Sequence, residues 1–157
     1  MEHLQFANAN ARIRALETKL LDKAKIDKII DSSSSEEALK ALSETEYSNY
    51  MSNINKPEDY ETLLSDELKR LYNLMYSLSP EKSIIDIMAL RYDYHNLEVM
   101  LKGKILKQDL CYLLIPVGTI PEEKLKQFFS SENYREISPI MREGITKAEK
   151  AFEEEKD

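Results

Sequence analysis

The residues best equipped for chemistry crowd into one stretch, Ser83 to Lys107, where Asp86, Asp93, His95, Asn96 and Glu98 fall within a few helical turns and Cys111 follows shortly after. Carboxylates beside a histidine can activate water or hold a metal ion. A small helical hydrolase or metal-dependent enzyme using Asp86, Asp93, His95 and Glu98 is therefore one hypothesis. Each ingredient also has a plainer reading. A carboxylate-bundle metal site asks for Glu-x-x-His on each of two helices. Here the histidines are His3 and His95, and His95 precedes Glu98 in the reverse order, between Arg91 and Lys102, which reads as a solvated stripe of helix-spaced charges. Cys111 could be paired with His95 as nucleophile and base, but a single cysteine in an apolar run favours the protonated thiol. Gly103-Lys104-Ile105 lacks both the upstream glycine and the hydroxyl of a phosphate-binding loop, so it does not cradle nucleotide phosphates that way. No metal and no cofactor are expected.

The element that must position these residues is a helix. At about 100° per residue, Ile87, Leu90, Tyr94, Leu97, Leu101 and Ile105 form one apolar stripe, and Ile85, Met88, Tyr92, Val99 and Leu106 a second. Two apolar faces predict a helix packed from two sides. Between them lie a solvent-like wedge, with Arg91, His95, Glu98 and Lys102, and a mixed one, with Asp86, Ala89, Asp93, Asn96 and Met100. The mixed wedge has two accounts. Asp93 and Asn96 either bond backbone groups or a basic side chain where another element crosses, which is the favoured account, or they mark a ligand or catalytic site.

Composition narrows the function classes. The chain has 157 residues, a net charge of −7, one cysteine, 3 glycines and 5 prolines. The acidic balance argues against nucleic acid or anionic lipid as the main partner, since both need a basic footprint. One cysteine permits no intramolecular disulfide and suits a reducing compartment. The apolar run Leu110 to Val117 is far short of the roughly 20 residues that span a bilayer, so no direct membrane span is expected, and the N-terminus has no leader pattern. A soluble, all-α protein follows, favoured by few glycines and prolines and many Leu, Glu, Lys and Ala residues.

In chain order, one long helix is expected from about Leu4 to Ile30, with a seam of Phe6, Ala9, Ile13, Leu16 and Leu20. Ser34 with Glu37 fits a capping box for a short helix offering Ala38, Leu39 and Leu42 to the core. Ser43 to Asn55 is either a short helix or an aromatic-anchored loop. Pro57 opens a helix running to about Leu78 on Tyr60, Leu64, Leu68, Leu71, Met75 and Leu78. Ser79-Pro80 caps the organising helix, and the tight connection predicts an antiparallel pair. Gln108 to Gly118 reads as a packed connector rather than a strand. Thr119, Pro121 and Glu122 start a helix with Leu125, Phe128 and Phe129. A short helix from Ser130 to Arg142, interrupted near Pro139, and a last acidic helix from Ile145, anchored by Ala148 and Phe152, complete the reading. That last helix lacks a partner for its acidic tail, which agrees equally with a piece of a longer protein and with an ordinary frayed acidic tail.

Two blocks also carry a family resemblance. Arg91-Tyr92-Asp93-Tyr94-His95-Asn96-Leu97 followed by Leu101-Lys102-Gly103-Lys104 resembles the arginine, aspartate, asparagine, leucine and lysine pattern of the C-subunit family of V-type and archaeal-type ATP synthases, whose eukaryotic relatives are the d subunits. Phe6-Ala7-Asn8-Ala9-Asn10-Ala11-Arg12 resembles the family's opening, and the Ile115-Pro116-Val117-Gly118 turn follows at a similar place. Members are considerably longer, so residues 1–157 would be the N-terminal helical portion, truncated or from a short relative, with a second subdomain starting near 119–157. The resemblance implies long antiparallel helices with short connecting helices in a funnel-like protein of several subdomains. It implies a non-catalytic central-stalk component of a rotary ion-translocating ATPase, linking the central shaft to the rotor ring and transmitting torque. The partners would be rotor-ring proteolipid and central-shaft subunits, and the location cytoplasmic, peripheral at the cytoplasmic face of the membrane through the complex. By the motif match, Asn10, Arg12, Arg91, Tyr92, Asp93, Asn96 and Lys102 would be family positions with a structural role, a contact role being the lesser option. A generic helical adaptor is what remains if the resemblance is accidental.

Overall fold

In the first turn of the first helix only Ala9 turns inward, and this helix is short. The computed structural model describes residues 6–54 and 56–154, so the expected helix start at Leu4, His3, the end of the stretch at Asn55, and residues 155–157 lie outside the described residues. Among those described there is no strand, and the fold is all-α. The chain divides into two units, Met1–Ile85 and Asp86–Asp157.

In the first unit, the expected long helix is instead two, α1 (Ala7–Glu17) and α2 (Lys23–Ile30). The break has a local cause. The Thr18 hydroxyl donates to the Ala15 carbonyl at 2.8 Å, and the Asp22 carboxylate accepts from the Lys25 amide at 2.8 Å as an N-cap. Both side chains compete with the helical ladder, and such a cap is worth about 1 kcal/mol. Leu20, drawn into the seam by its spacing, falls in the break and is exposed. Helix α3 (Ser35–Leu42) is capped by Ser34, which accepts from the Glu37 amide at 3.2 Å. The reciprocal bond of the expected box is shifted by one residue, because Glu37 receives the amide and hydroxyl of Ser33, at 2.9 and 2.8 Å. Those two donors hold the Glu37 carboxyl below its ordinary pKa, led by the Ser33 hydroxyl. Ala41 is the fully buried residue of α3, with Ala38, Leu39 and Leu42 half-buried.

The ambiguous stretch is a 3-10 helix, Glu46–Asn53, and a second one, Pro57–Asp59, leads into α4 (Tyr60–Leu78). These two 3-10 segments pack on α4. Burial on α4 centres on Leu63, at 1% exposure, while Tyr60, Leu64 and Leu71 of the expected stripe are exposed. One residue of phase decides this, since adjacent leucines point about 100° apart.

Helix α5 (Lys82–Leu106) begins at the unit boundary, and its body from Asp86 belongs to the second unit. Glu81, rather than the expected Ser79-Pro80 pair, supplies its cap by accepting from the Ser83 amide and hydroxyl. It ends at Lys107, whose φ of 54° is left-handed, with the Gln108 amide reaching back to the Gly103 carbonyl at 3.0 Å. Residues 107–121 form the connector, holding a 3-10 turn at Cys111–Leu113 and no strand. Then come α6 (Glu122–Ser131) and α7 (Pro139–Glu154). Instead of an interruption at Pro139 and a fresh start after Gly144, α7 is continuous. Pro139 stands at its first position, and the Ser138 hydroxyl accepts from the Met141 amide at 3.3 Å. Gly144 lies within the helix because Met141 and Ile145 on either side of it are buried.

The second unit's core is Leu97, Leu125, Phe128, Phe129, Ile137, Met141 and Ile145, with Tyr134 edge-on to Phe129 at 5.2 Å between ring centroids. Of the expected anchors of the last helix, Ile145 is buried, Phe152 half-buried and Ala148 exposed. Lys104 adds a polar tie to this core, bridging Glu132 and Glu149, each at 2.8 Å. Those two carboxylates hold the Lys104 ammonium above its ordinary pKa.

Candidate functional site

Helical spacing places Asp93 and Asn96 one above the other on α5, and both are buried, at 0% and 3% exposure. Their partners come from the connector. Asn96 uses both ends of its amide on one residue, donating to the Ile115 carbonyl and accepting from the Ile115 amide, each at 2.8 Å. Asp93 accepts from the Thr119 hydroxyl at 2.6 Å and from the Ile120 amide at 2.9 Å. His95 adds a third tie, its Nε2 lying 3.1 Å from the Leu113 carbonyl. Since a carbonyl only accepts, that nitrogen carries the proton. Three residues from one turn of α5 thus clasp the connector at 113, 115 and 119–120, satisfying backbone groups that an irregular segment does not pair for itself.

Gly118 makes the clasp sterically feasible. A Cβ there would stand 2.3 Å from Asp93 Oδ1, so no side chain fits without moving the carboxyl group. Sequence reasoning did not find Thr119 or Gly118 as partners; the signal available was a glycine and a hydroxyl between two prolines, Pro116 and Pro121, opposite an acid on a helix.

The remaining expected site residues are placed as follows. Asn10 and Arg12 lie on α1 in the first unit, both exposed. Arg91 rests its guanidinium 4.8 Å above the ring of the buried Tyr92. Lys102 pairs with Glu98 at 2.6 Å, which keeps the Glu98 carboxyl below its ordinary pKa. Of the four residues of the hydrolase reading, Asp86 is half-buried, both Asp93 oxygens are taken by Thr119 and Ile120, His95 by Leu113 and Glu98 by Lys102. Among the described residues no three His, Cys, Asp or Glu side chains group as metal ligands. The Cys111 thiol is pushed up by its hydrogen bond to Asp109 and by burial, which disfavours the thiolate. A cleft beside it is lined by Val99, Gly103, Lys104, Gln108, Asp109 and Phe129. What this arrangement does is fix the connector's backbone against α5.

The chain is thus all-helical, with a buried acid and a buried amide that hold its own connector, and known proteins resemble it. The family model ATP synthase (C/AC39) subunit matches residues 9–157, and the chain belongs to that family. Relatives include the A-type ATP synthase C subunit of Methanocaldococcus jannaschii, 35% identical over 141 residues, covering 84% of this chain and 35% of that protein. The V-type sodium ATPase C subunit of Enterococcus hirae is 28% identical over 151 residues, covering 96% of this chain and 46% of that protein. The V-type ATP synthase C subunit of Thermus thermophilus is 27% identical over 137 residues, covering 87% and 42%. The chain thus spans less than half the length of each of these relatives. No solved structure matches it significantly.

Proposed function

We propose that this chain acts as a non-catalytic central-stalk part of a rotary V/A-type ion-translocating ATPase, linking the central shaft to the membrane rotor ring and transmitting torque. The observation that carries the reading is the family match over residues 9–157. It is supported by a clasp whose donors and acceptors are occupied within the chain, leaving stiffness rather than turnover as what the clasp supplies. On this reading Asp93 and Asn96 are structural, as are Asn10, Arg12, Arg91, Tyr92 and Lys102. The chain would sit at the cytoplasmic face of the membrane through its complex; no described helix is long and apolar enough to cross a membrane.

The test is co-purification of the tagged full chain from mild-detergent membrane extracts. Recovery of rotor-ring proteolipid together with shaft subunits is the expected result, and removal of the chain should uncouple ion transport from ATP hydrolysis. Recovery of neither partner class, or transport that stays coupled without the chain, would overturn the reading.

A further inference from the structure

The face of α5 opposite the clasp is apolar and open. Ile87, Leu90 and Tyr94, at helical spacing i, i+3 and i+7, are 70%, 39% and 49% exposed. Leu113, 41% exposed, has its carbonyl held by His95 on the same helix. In the middle of this ridge stands Arg91, four residues after Ile87 and three before Tyr94. It is exposed, has no carboxylate within ion-pair distance among the described residues, and lies on the Tyr92 ring at 4.8 Å, which fixes a side chain that would otherwise be free to move. The acid on the same face, Glu98, is already held by Lys102 at 2.6 Å.

We propose that this ridge docks an amphipathic helix of another subunit, one that carries an Asp or Glu in its apolar stripe to meet Arg91. The inference rests on the stalk reading and adds to it the chemistry of one partner and the residues that receive it, giving Arg91 a contact role beside its structural one on the Tyr92 ring. Helix-on-helix docking matches the 3-and-4 spacing of the apolar positions. Charge complementarity selects the occupant. A second copy of this chain would bring no free carboxylate on the same face, and an anionic lipid surface calls for a cluster of cations where the ridge has one.

The experiment places a photo-crosslinking amino acid at Ile87 in the full chain within the assembled ATPase and identifies the crosslinked peptide by mass spectrometry. The expected product is a helical segment of another subunit with an Asp or Glu within one turn of the crosslinked residue. Arg91→Glu, and separately Arg91→Met to keep bulk without charge, should lower that yield by roughly tenfold. Exchanging the partner's acid for Lys should restore it with Arg91→Glu. A crosslink to lipid, to a second copy or within the chain overturns the proposal, as does a yield that ignores both Arg91 substitutions; if the chain still co-purifies with the ATPase, the stalk reading survives that failure. Loss of co-purification by the wild-type chain overturns both.

Discussion

On α5 the carboxyl of Asp93 is sealed from solvent while the butyl chain of Ile87, less than two turns away on the opposite face, is 70% exposed. Transfer energies alone would turn the helix around, because a buried Ile gains about 2 kcal/mol and a buried polar group without partners loses as much or more. The difference between the two faces is the connector. It arrives with amides, a carbonyl and a hydroxyl that Asp93 and Asn96 complete, and those two side chains could not be buried without them. Among the described residues of the second unit none covers the ridge of Ile87 and Tyr94 in the same way. A helix face is thus buried by the partner that crosses it, and its polarity must be judged together with that partner's hydrogen bonds.

The comparison can be broken most sharply at its tightest point. Gly118→Val forces a Cβ into the place of Asp93 Oδ1, at 2.3 Å, and should lower the unfolding free energy by about 3 kcal/mol, with Asp93→Ala close behind, since it leaves the Ile120 amide and Thr119 hydroxyl unpaired. Equilibrium urea unfolding reads both; a loss under about 1 kcal/mol for either would mean that water replaces the clasp at little expense. Asn96→Ala should lose about 2 kcal/mol and expose the amide of residue 115 to hydrogen exchange ahead of the core.

Gly144→Ala tests the packing argument in the opposite direction. Nothing lies within 4 Å of a Cβ at that position, so the substitution should stabilise by about 0.5–1 kcal/mol in the same assay. The ion triad has a sign that pH can check. Glu132 has a lowered carboxyl pKa, chiefly through its bond to Lys104, so its contribution is present above the ordinary value of 4.5 and disappears as pH falls through the lowered one. The stability difference between wild type and Glu132→Gln should therefore narrow between neutral pH and pH 3. Smallest of all, Ile87→Ser should leave the stability of the isolated chain within about 0.5 kcal/mol of wild type, because its side chain is already in water. A larger loss would show that the ridge is covered within the chain itself.

The all-helical class, the start of α6 at Glu122 with its buried Leu125, Phe128 and Phe129, and the oddness of Asp93 and Asn96 were legible in the residues, because composition, start signals and helical period act locally. Local chemistry also existed for two features that periodicity overrode: Thr18 and Asp22 end one helix and cap the next where the apolar seam runs on, and Pro139 opens a helix that an internal Gly144 does not stop. The family, too, was carried by two short blocks in order, and the match over residues 9–157 extends well beyond them.

Tertiary structure alone decided which side of each helix is inside. Leu63 rather than Leu64 is buried on α4, and on α5 the polar wedge rather than the Ile87, Leu90 and Tyr94 stripe. The physical reason is that a sequence period fixes the angle between side chains on a helix but not the direction from which the rest of the chain approaches. That direction was set by where the connector's unpaired backbone groups could find Asp93, His95 and Asn96.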